Sequence, residues 1–485
     1  MAKEVDSEQS EDRKANLAQI FKREFDTVEQ YRRVLERGDQ ITLEELQVEY
    51  KSLGKKYESL LRQSTKLLRT GDAAQRKLMS VQQELEWRQN LNALWIAQFL
   101  AMVASNACLP FFPLYVRNLG ITDMADAKLW SGLVTAGPFF LSIVTVPLWG
   151  SLGDKHGRKN MIVRAIIGLT VTLFLMGFVQ NVWQLFALRV LQGAVAGFVA
   201  ASLGLVASMT PEKSSGYAMG FLQSSVSAGT VIGPLIGGLV SDAFGLRPLF
   251  YIIGALGFIA TTIVVALVRD TSSSDEEPEK GYSVMDNLRF VWITSPLRSL
   301  LLFVFLTQAA TALTLPIMAY FLESLGTPSQ LLATVTGSMV GIVGVVTTAS
   351  TILWGRWNTK KPYHITLLIA LPMLALATIA QAFMPSYEWL YPWRIVLGIF
   401  GGATIPTLYA ALTKFSPSER RSGVMGLASS AVLLGNLLSP LLCSLMAVQL
   451  GVVWSFVLSG ALFFCMVPFL LLSYHRTADT LPAKA

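Results

Sequence analysis

Residues 150–159 read Gly150-Ser-Leu-Gly-Asp154-Lys-His-Gly157-Arg158-Lys159, one acid and three bases set between apolar runs at 130–151 and 161–179. A helix crossing a hydrocarbon core of ~30 Å needs about 20 apolar residues, and both runs supply them. The charged stretch is therefore a turn at a membrane surface. Working outward, the same alternation predicts further spans at 91–116, 184–209, 217–241, 248–268, 298–322, 331–355, 364–384, 389–413, 423–448 and 452–473. Twelve spans predict an all-α membrane protein with both ends on one side. Composition agrees, because the chain is 52% hydrophobic and only 15% charged, where a soluble domain carries about 25% charged residues.

Loop charge predicts the orientation. One set of loops with the C-terminal tail holds Lys155, Arg158, Lys159, Lys213, Arg269, Lys280, Arg289, Arg298, Arg356, Lys360, Lys361, Lys414, Arg420, Arg421, Arg476 and Lys484, while the other set holds only Arg117, Lys128 and Arg247. The excess of bases places the first set and both termini in the cytoplasm, and the protein in the cytoplasmic membrane. The net charge of +7 lies in these short loops, where it suits an anionic lipid face; it gives no case for nucleic acid. Cys108, Cys443 and Cys465 all lie in apolar runs without metal or disulfide spacing. No apolar run closely follows Met1, so insertion is expected to begin at the first internal span.

Residues 1–90 differ from the rest, with 17 bases and 17 acids. Leu43, Leu46, Tyr50, Leu53, Tyr57, Leu60, Leu67, Ala74, Leu78, Val81 and Leu85 keep one heptad register, which predicts a helical hairpin or coiled coil. Ser64 and Gly71 weaken that seam, and Gly71-Asp72 is a candidate helix break. An earlier amphipathic helix over Ile20, Phe21, Phe25, Val28, Tyr31 and Val34 is predicted to end near Gly38, with Thr42 as N-cap of the next and Glu45 as its capping-box partner. The extension is either a spacer or a module for self-association or protein docking.

The longest connection, 269–297, contains Thr-Ser-Ser-Ser-Asp-Glu-Glu-Pro-Glu and a short amphipathic segment with Val284, Leu288, Val291 and Trp292. It divides the chain into an extension (1–90), a six-span bundle (91–268), a linker (269–297), a second six-span bundle (298–473) and a tail (474–485). The halves echo each other at an offset of about 205 residues: Arg189 with Arg394, Gly193 with Gly398, Pro211 with Pro417, Gly229 with Gly435, Pro234 with Pro440. Such a repeat predicts two like bundles about a central pathway, the geometry of alternating access.

The stretch at 150–159 resembles the signature loop of the major facilitator superfamily. The resemblance implies a conformational latch of Gly150, Asp154, Gly157, Arg158 and Lys159, in which helices approach closely and charges at helix ends pair and part. A plain positive-inside turn explains the bases but not the glycines or the aspartate. The matching loop Gly355-Arg-Trp-Asn358-Thr-Lys-Lys lacks the acid. Leu188-Arg189-Val-Leu-Gln192-Gly193 is similar to the superfamily's Arg-x-x-Gln-Gly element. An arginine inside a span is costly and needs a partner or water, unless it snorkels to the interface. Arg394 is its repeat equivalent, with Leu397 in place of Gln192.

The fifth span carries Gly220, Gly229, Gly233-Pro234-Leu-Ile-Gly237-Gly238. It resembles the glycine-rich, proline-bent helix of exporters, above all the twelve-span drug:proton antiporter (multidrug efflux) branch. Glycines four apart give a flat packing face, and proline frees a backbone bond. Candidate lining residues of an apolar substrate cavity are Asn106, Phe111, Phe112, Gln223, Gln308, Thr311, Tyr409 and Asn436, each equally suited to helix packing.

A mid-membrane carboxylate, the usual proton carrier of such exporters, is absent from the sequence. The candidate carriers are Asp154 and Glu323, and neutral or anionic amphiphiles are favoured over strongly cationic ones. His156, His364 and His475 join no catalytic set, and no phosphate loop or metal cluster is present, so no enzyme activity, cofactor or nucleotide drive is expected. The expected function is secondary active export of small amphipathic molecules. A membrane sensor signalling through the N-terminal coiled coil, and an uptake carrier for sugars or organic acids, stand as alternatives.

Overall fold

The computed structural model describes residues 22, 26, 28–33, 35–38, 42–269 and 283–478, without the side chains of 80, 83, 147, 150, 151, 153–156, 212, 213, 418 and 473–478. The expected helix residues Ile20, Phe21, Phe25 and Val34, most of the linker, the end of the tail, and the Asp154 side chain lie outside the described residues. All described regular structure is helical, and twelve segments are long and apolar enough to span a membrane. They run Leu43–Asn118, Met124–Val146, Arg158–Met176, Val182–Met209, Ser214–Phe244, Leu246–Leu267, Ser295–Ser324, Ser329–Asn358, Tyr363–Gln381, Tyr387–Phe415, Arg421–Gln449 and Val452–Leu472, and are called spans 1 to 12 here.

The chain forms two compact units, Met1–Glu84 and Leu85–Ala485. In the first, Tyr31 donates its hydroxyl hydrogen to the Glu49 carbonyl at 3.1 Å and Lys56 reaches Gln30 at 3.5 Å. Gly38 turns the chain with a φ of 48°. The Thr42 amide donates to the Glu45 carboxylate at 3.2 Å, half of a capping box. The helix starting at Leu43 runs unbroken through Gly71 to Ala107, against the expected break. One glycine costs a helix about 1 kcal/mol, which the helix formers around it, Ala73 to Leu78, offset. The heptad residues Leu46, Tyr50, Tyr57, Leu67 and Leu78 are exposed.

The second unit begins a few residues before the expected boundary at 90, because Trp87 and Asn90 are already buried in it. Asn90 Nδ2 donates to the Arg269 carbonyl at 3.0 Å, and its Oδ1 accepts from the Arg269 amide at 2.9 Å. Prolines break spans 1 and 7 alike. Pro110 and Pro316 sit in short 3-10 turns at Leu109–Phe111 and Leu315–Ile317, each followed by a seven-residue helix, Phe112–Asn118 and Met318–Ser324. Span 4, expected to be continuous, is two helices, Val182–Ala194 and Phe198–Met209, parted at Gly197 with a φ of 115°.

The repeat is visible bond by bond. Trp149 donates to the Ala194 carbonyl at 2.7 Å, and Trp354 to that of Ile399 at 2.7 Å. Thr145 donates to the Gly193 carbonyl at 3.0 Å, and Ser350 to that of Gly398 at 3.0 Å. Each pair is related by the offset of about 205 read in the sequence. Two buried clusters fill each half, and the one around Phe111, Phe112 and Tyr115 also takes in Tyr320 and Ala333 from the second half. Lipid tails are as apolar as leucine, so close contact of small residues and hydrogen bonds hold such helices together more than expulsion of water does.

Candidate functional site

The halves meet at the end bearing the few bases Arg117, Lys128 and Arg247. Arg117 Nη1 donates to both carboxylate oxygens of Glu323, at 2.9 and 2.6 Å, joining the tips of spans 1 and 7. Lys128 of span 2 donates to the Ala447 carbonyl of span 11 at 3.2 Å. Tyr320 Oη donates to the Pro113 carbonyl at 2.9 Å and lies 3.0 Å from Ser131 Oγ. Asp242, at the end of span 5, accepts the Ala333 amide at 3.2 Å and the Thr334 amide at 2.6 Å. Its carboxylate thus caps the first turn of the span 8 helix, where an anion is favoured. These hydrogen bonds between the halves all lie at this one end.

Span 5 supplies the packing behind that closure. A Cβ on Gly237 would overlap the Ala107 carbonyl oxygen, one on Gly229 the Met102 side chain, and one on Gly233 would stand 2.9 Å from Asn106 Cβ. These three seat span 5 on span 1. Gly238 faces the other half, where a Cβ would lie 2.6 Å from the Ala333 carbonyl oxygen of span 8, and Gly337 of span 8 in turn meets the Pro234 carbonyl. Gly220, grouped with these glycines by the sequence pattern, has nothing within 4 Å; it lies outside the contact.

Arg189 is buried, 3% exposed, and does not snorkel. Its Nε donates to the Val134 carbonyl at 3.0 Å, Nη1 donates to Gln192 Oε1 at 2.6 Å, and the guanidinium lies 4.4 Å from the Phe112 ring centroid. It ties spans 1, 2 and 4 together with no acid. At the end of span 2 the helix runs on to His156, and Gly157, with a φ of 87°, makes the corner. Arg158 donates to the Gly204 carbonyl of span 4 and Lys159 to the Val265 carbonyl of span 6 at 3.2 Å, so two signature bases are anchored on other spans. In the acid-free second loop Asn358 does the bridging, donating to Thr407 Oγ1 at 2.6 Å and accepting from Thr366 at 2.6 Å.

The Major Facilitator Superfamily profile matches residues 94–328 and 300–485. The chain belongs to this superfamily. "Multidrug resistance protein MdtG" of Yersinia enterocolitica is 32% identical over 77% of this chain and 90% of its own length. The "Multi-drug resistance efflux pump PmrA homolog" of Lactococcus lactis is 32% identical over 77% and 95%. Two solved transporters share the fold: a bacterial homolog of the human lysosomal transporter Spinster, at 18% identity and TM-score 0.66 over 82% of this chain and 99% of that one, and a mutant form of the nucleoside transporter NupG, at 13% and 0.69 over 79% and 99%. The protein is thus a multi-pass membrane protein that moves small molecules by secondary active transport.

Within this superfamily fold the expected cavity residues part company. Phe111 and Phe112 are fully buried; Phe111 packs against Gly237, and Phe112 lies beside Arg189 and Phe250. They are core, because the proline-broken tip of span 1 turns them into the closed end. Asn106 spends its amide hydrogen on the Met102 carbonyl at 2.8 Å. Gln308 donates to Asn436 at 2.9 Å, a span 7 to span 11 tie, and Gln308 and Thr311 line a cavity of about 380 Å³ in the second half. Tyr409 is half-buried and Gln223 exposed, and neither joins that cavity. The structure adds an aromatic run the sequence reading missed: Trp95 stacks on Phe99 and Phe221, Phe221 on Tyr217, and Trp95 donates to Ser224 at 2.9 Å.

Proposed function

We propose that this transporter exports small amphipathic molecules, drugs among them, across a cytoplasmic membrane by alternating access. The carrying observation is the glycine face of span 5, which packs on span 1 through Gly229, Gly233 and Gly237 and reaches the other half through Gly238. A helix with two such flat faces and a proline between them can slide and bend as the halves rock. The relatives' names as multidrug resistance and efflux proteins agree. With the base-rich loops inside, the closed end is the outer one, and the arrangement is loaded from the cytoplasm.

In this reading residues 91–268 and 298–473 are the rocking bundles, 269–297 joins them, and the tail from 474 is cytoplasmic. The residues before 90 are a spacer or a module for self-association or docking. Glu323, paired with Arg117 across the outer closure, is one candidate proton carrier. Asp154 is the second candidate, and with Gly150, Gly157, Arg158 and Lys159 it forms the latch. Asp154→Asn should insert normally and slow transport sharply.

The test is uptake of a panel of fluorescent amphiphiles into everted membrane vesicles, with and without an imposed proton gradient. Accumulation in the vesicles that falls when the gradient is collapsed supports proton-driven export. Flux in the opposite sense would assign the chain to uptake.

A further inference from the structure

The internal repeat shows what the second intramembrane arginine lacks. Arg189 donates to Val134 and to the side chain of Gln192. At the equivalent place Arg394 meets Leu397 instead of a glutamine. Arg394 is 7% exposed, its Nε has no partner, and Nη2 reaches the Met318 sulfur at 2.7 Å. A thioether is a weak acceptor, and no described carboxylate pairs with this guanidinium. A buried charge left in that state is costly, and inside a membrane such a residue points to a bound counter-charge.

Arg394 lines the cavity of about 380 Å³ between spans 7, 8, 9, 10 and 12. Gln381 lines it too, fully buried, with Nε2 donating to the Ala377 carbonyl at 2.9 Å and Oε1 unpartnered. Leu397, Phe456 and Phe463 give the cavity apolar wall, and Gln308 lines it while tied to Asn436. One free cationic donor and one free acceptor in a largely apolar chamber describe a receptor for a polar head on an apolar body.

We propose that this cavity is a subsite for acidic amphiphiles, with a carboxylate accepting hydrogen bonds from Arg394 and its apolar body against Leu397, Phe456 and Phe463. The planar guanidinium matches a carboxylate in shape and charge. In the first half Gln192 already occupies the arginine, so the two halves, alike in fold, differ in what they bind. The proposal rests on the export reading above and narrows its substrates to acids.

The test uses the purified full-length protein and three probes with one aromatic body: naphthylacetate, naphthylacetamide and naphthylmethylammonium. Titration calorimetry should show the acid binding about tenfold or more tighter than the amide, the scale of a charged hydrogen bond, and the ammonium weakest. Arg394→Gln should abolish that preference, and Arg394→Lys should retain part of it. Leu397→Gln, which supplies the side-chain acceptor found in the first half, should compete for the guanidinium and weaken acid binding about tenfold. Equal affinity of the wild-type protein for acid and amide, a comparison needing no variant, would overturn the proposal. So would an Arg394→Gln protein that keeps the acid preference. Efflux of the same probes separates the two levels: export of the amide or ammonium without acid preference sinks the subsite and leaves export standing, whereas a protein that binds acids selectively but moves no probe sinks export alone.

Discussion

A single nitrogen of Arg117 lies within 2.9 Å of both carboxylate oxygens of Glu323, so one ion pair bridges the tips of spans 1 and 7. Both side chains keep more than a third of their surface exposed, and pairs of that kind are worth about 0–1 kcal/mol. The closed end therefore does not hang on this contact alone; the Asp242 cap and Tyr320 share the work. A weak pair suits a gate that must open in every cycle.

Glu323→Gln should favour the state open at this end by up to about 1 kcal/mol. Trapping of the open state by an impermeant thiol reagent, directed to a cysteine at Ser131, should then speed up by no more than about fivefold. The exchanged pair Arg117→Glu with Glu323→Arg should return most of the wild-type rate. A double exchange no better than either single change would show that the pair is not the relevant contact.

Gly237→Leu should stall transport while Gly220→Ala leaves it intact. The first forces a side chain into the Ala107 carbonyl, and the second adds a methyl group to open space. Overpacking of this kind costs about 1–3 kcal/mol or more. Efflux rates of the two variants at matched expression decide it, and an active Gly237→Leu protein would remove span 5 from the moving contact.

Trp149→Phe should be more damaging than Trp354→Phe, although the two indoles are repeat equivalents. Ala194 is the last residue of its helical segment, and the indole satisfies its carbonyl; Ile399 sits inside an unbroken helix, where the carbonyl has a backbone partner as well. Trp149 also lies under the Arg164 guanidinium, 3.5 Å from ring centroid to Cζ. Leaving a fully buried carbonyl unpaired costs about 1–3 kcal/mol, which is an upper bound for the half-buried Ala194. Thermal unfolding of the two variants in detergent should show the larger loss for Trp149→Phe; equal losses would deny the break at Gly197 any special demand.

Removing residues 1–84 should leave transport within about twofold, because Trp87 and Asn90, the first buried residues of the second compact unit, remain. Removal through residue 90 should cost expression, since it takes the Asn90 bonds to Arg269 with it. Vesicle transport per molecule measures the first and membrane yield the second.

The sequence showed the twelve spans, the repeat and the family, because apolar run length and loop charge are set by the membrane itself. It did not show the break in span 4. Gly193-Ala-Val-Ala-Gly197 reads as ordinary small-residue helix, and only Thr145, Trp149 and Arg164, from other spans, reveal that its carbonyls are taken from outside. Phe111 and Phe112, equally suited to cavity or packing in the sequence, are a similar case. An aromatic residue in an apolar run looks the same whether it faces a cavity or a core, and the turn at Pro110 decides which. Arg189 and Arg394 were legible as a pair, while the difference in their surroundings needed three dimensions. Most heptad residues from Leu46 to Leu78 are exposed, as are most residues between them, so the single chain buries no seam along that register.

The most direct test is a pair of distances measured on one protein. Spin labels at Asn118 and Ser324 report the separation of spans 1 and 7 at the closed end, and labels at Ser208 and Lys414 report spans 4 and 10 at the other, all at exposed positions. Alternating access predicts that the transported amphiphile lengthens the first distance and shortens the second together. Two distances that change in the same sense, or one that changes while the other stays fixed, would contradict the rocking of the two halves.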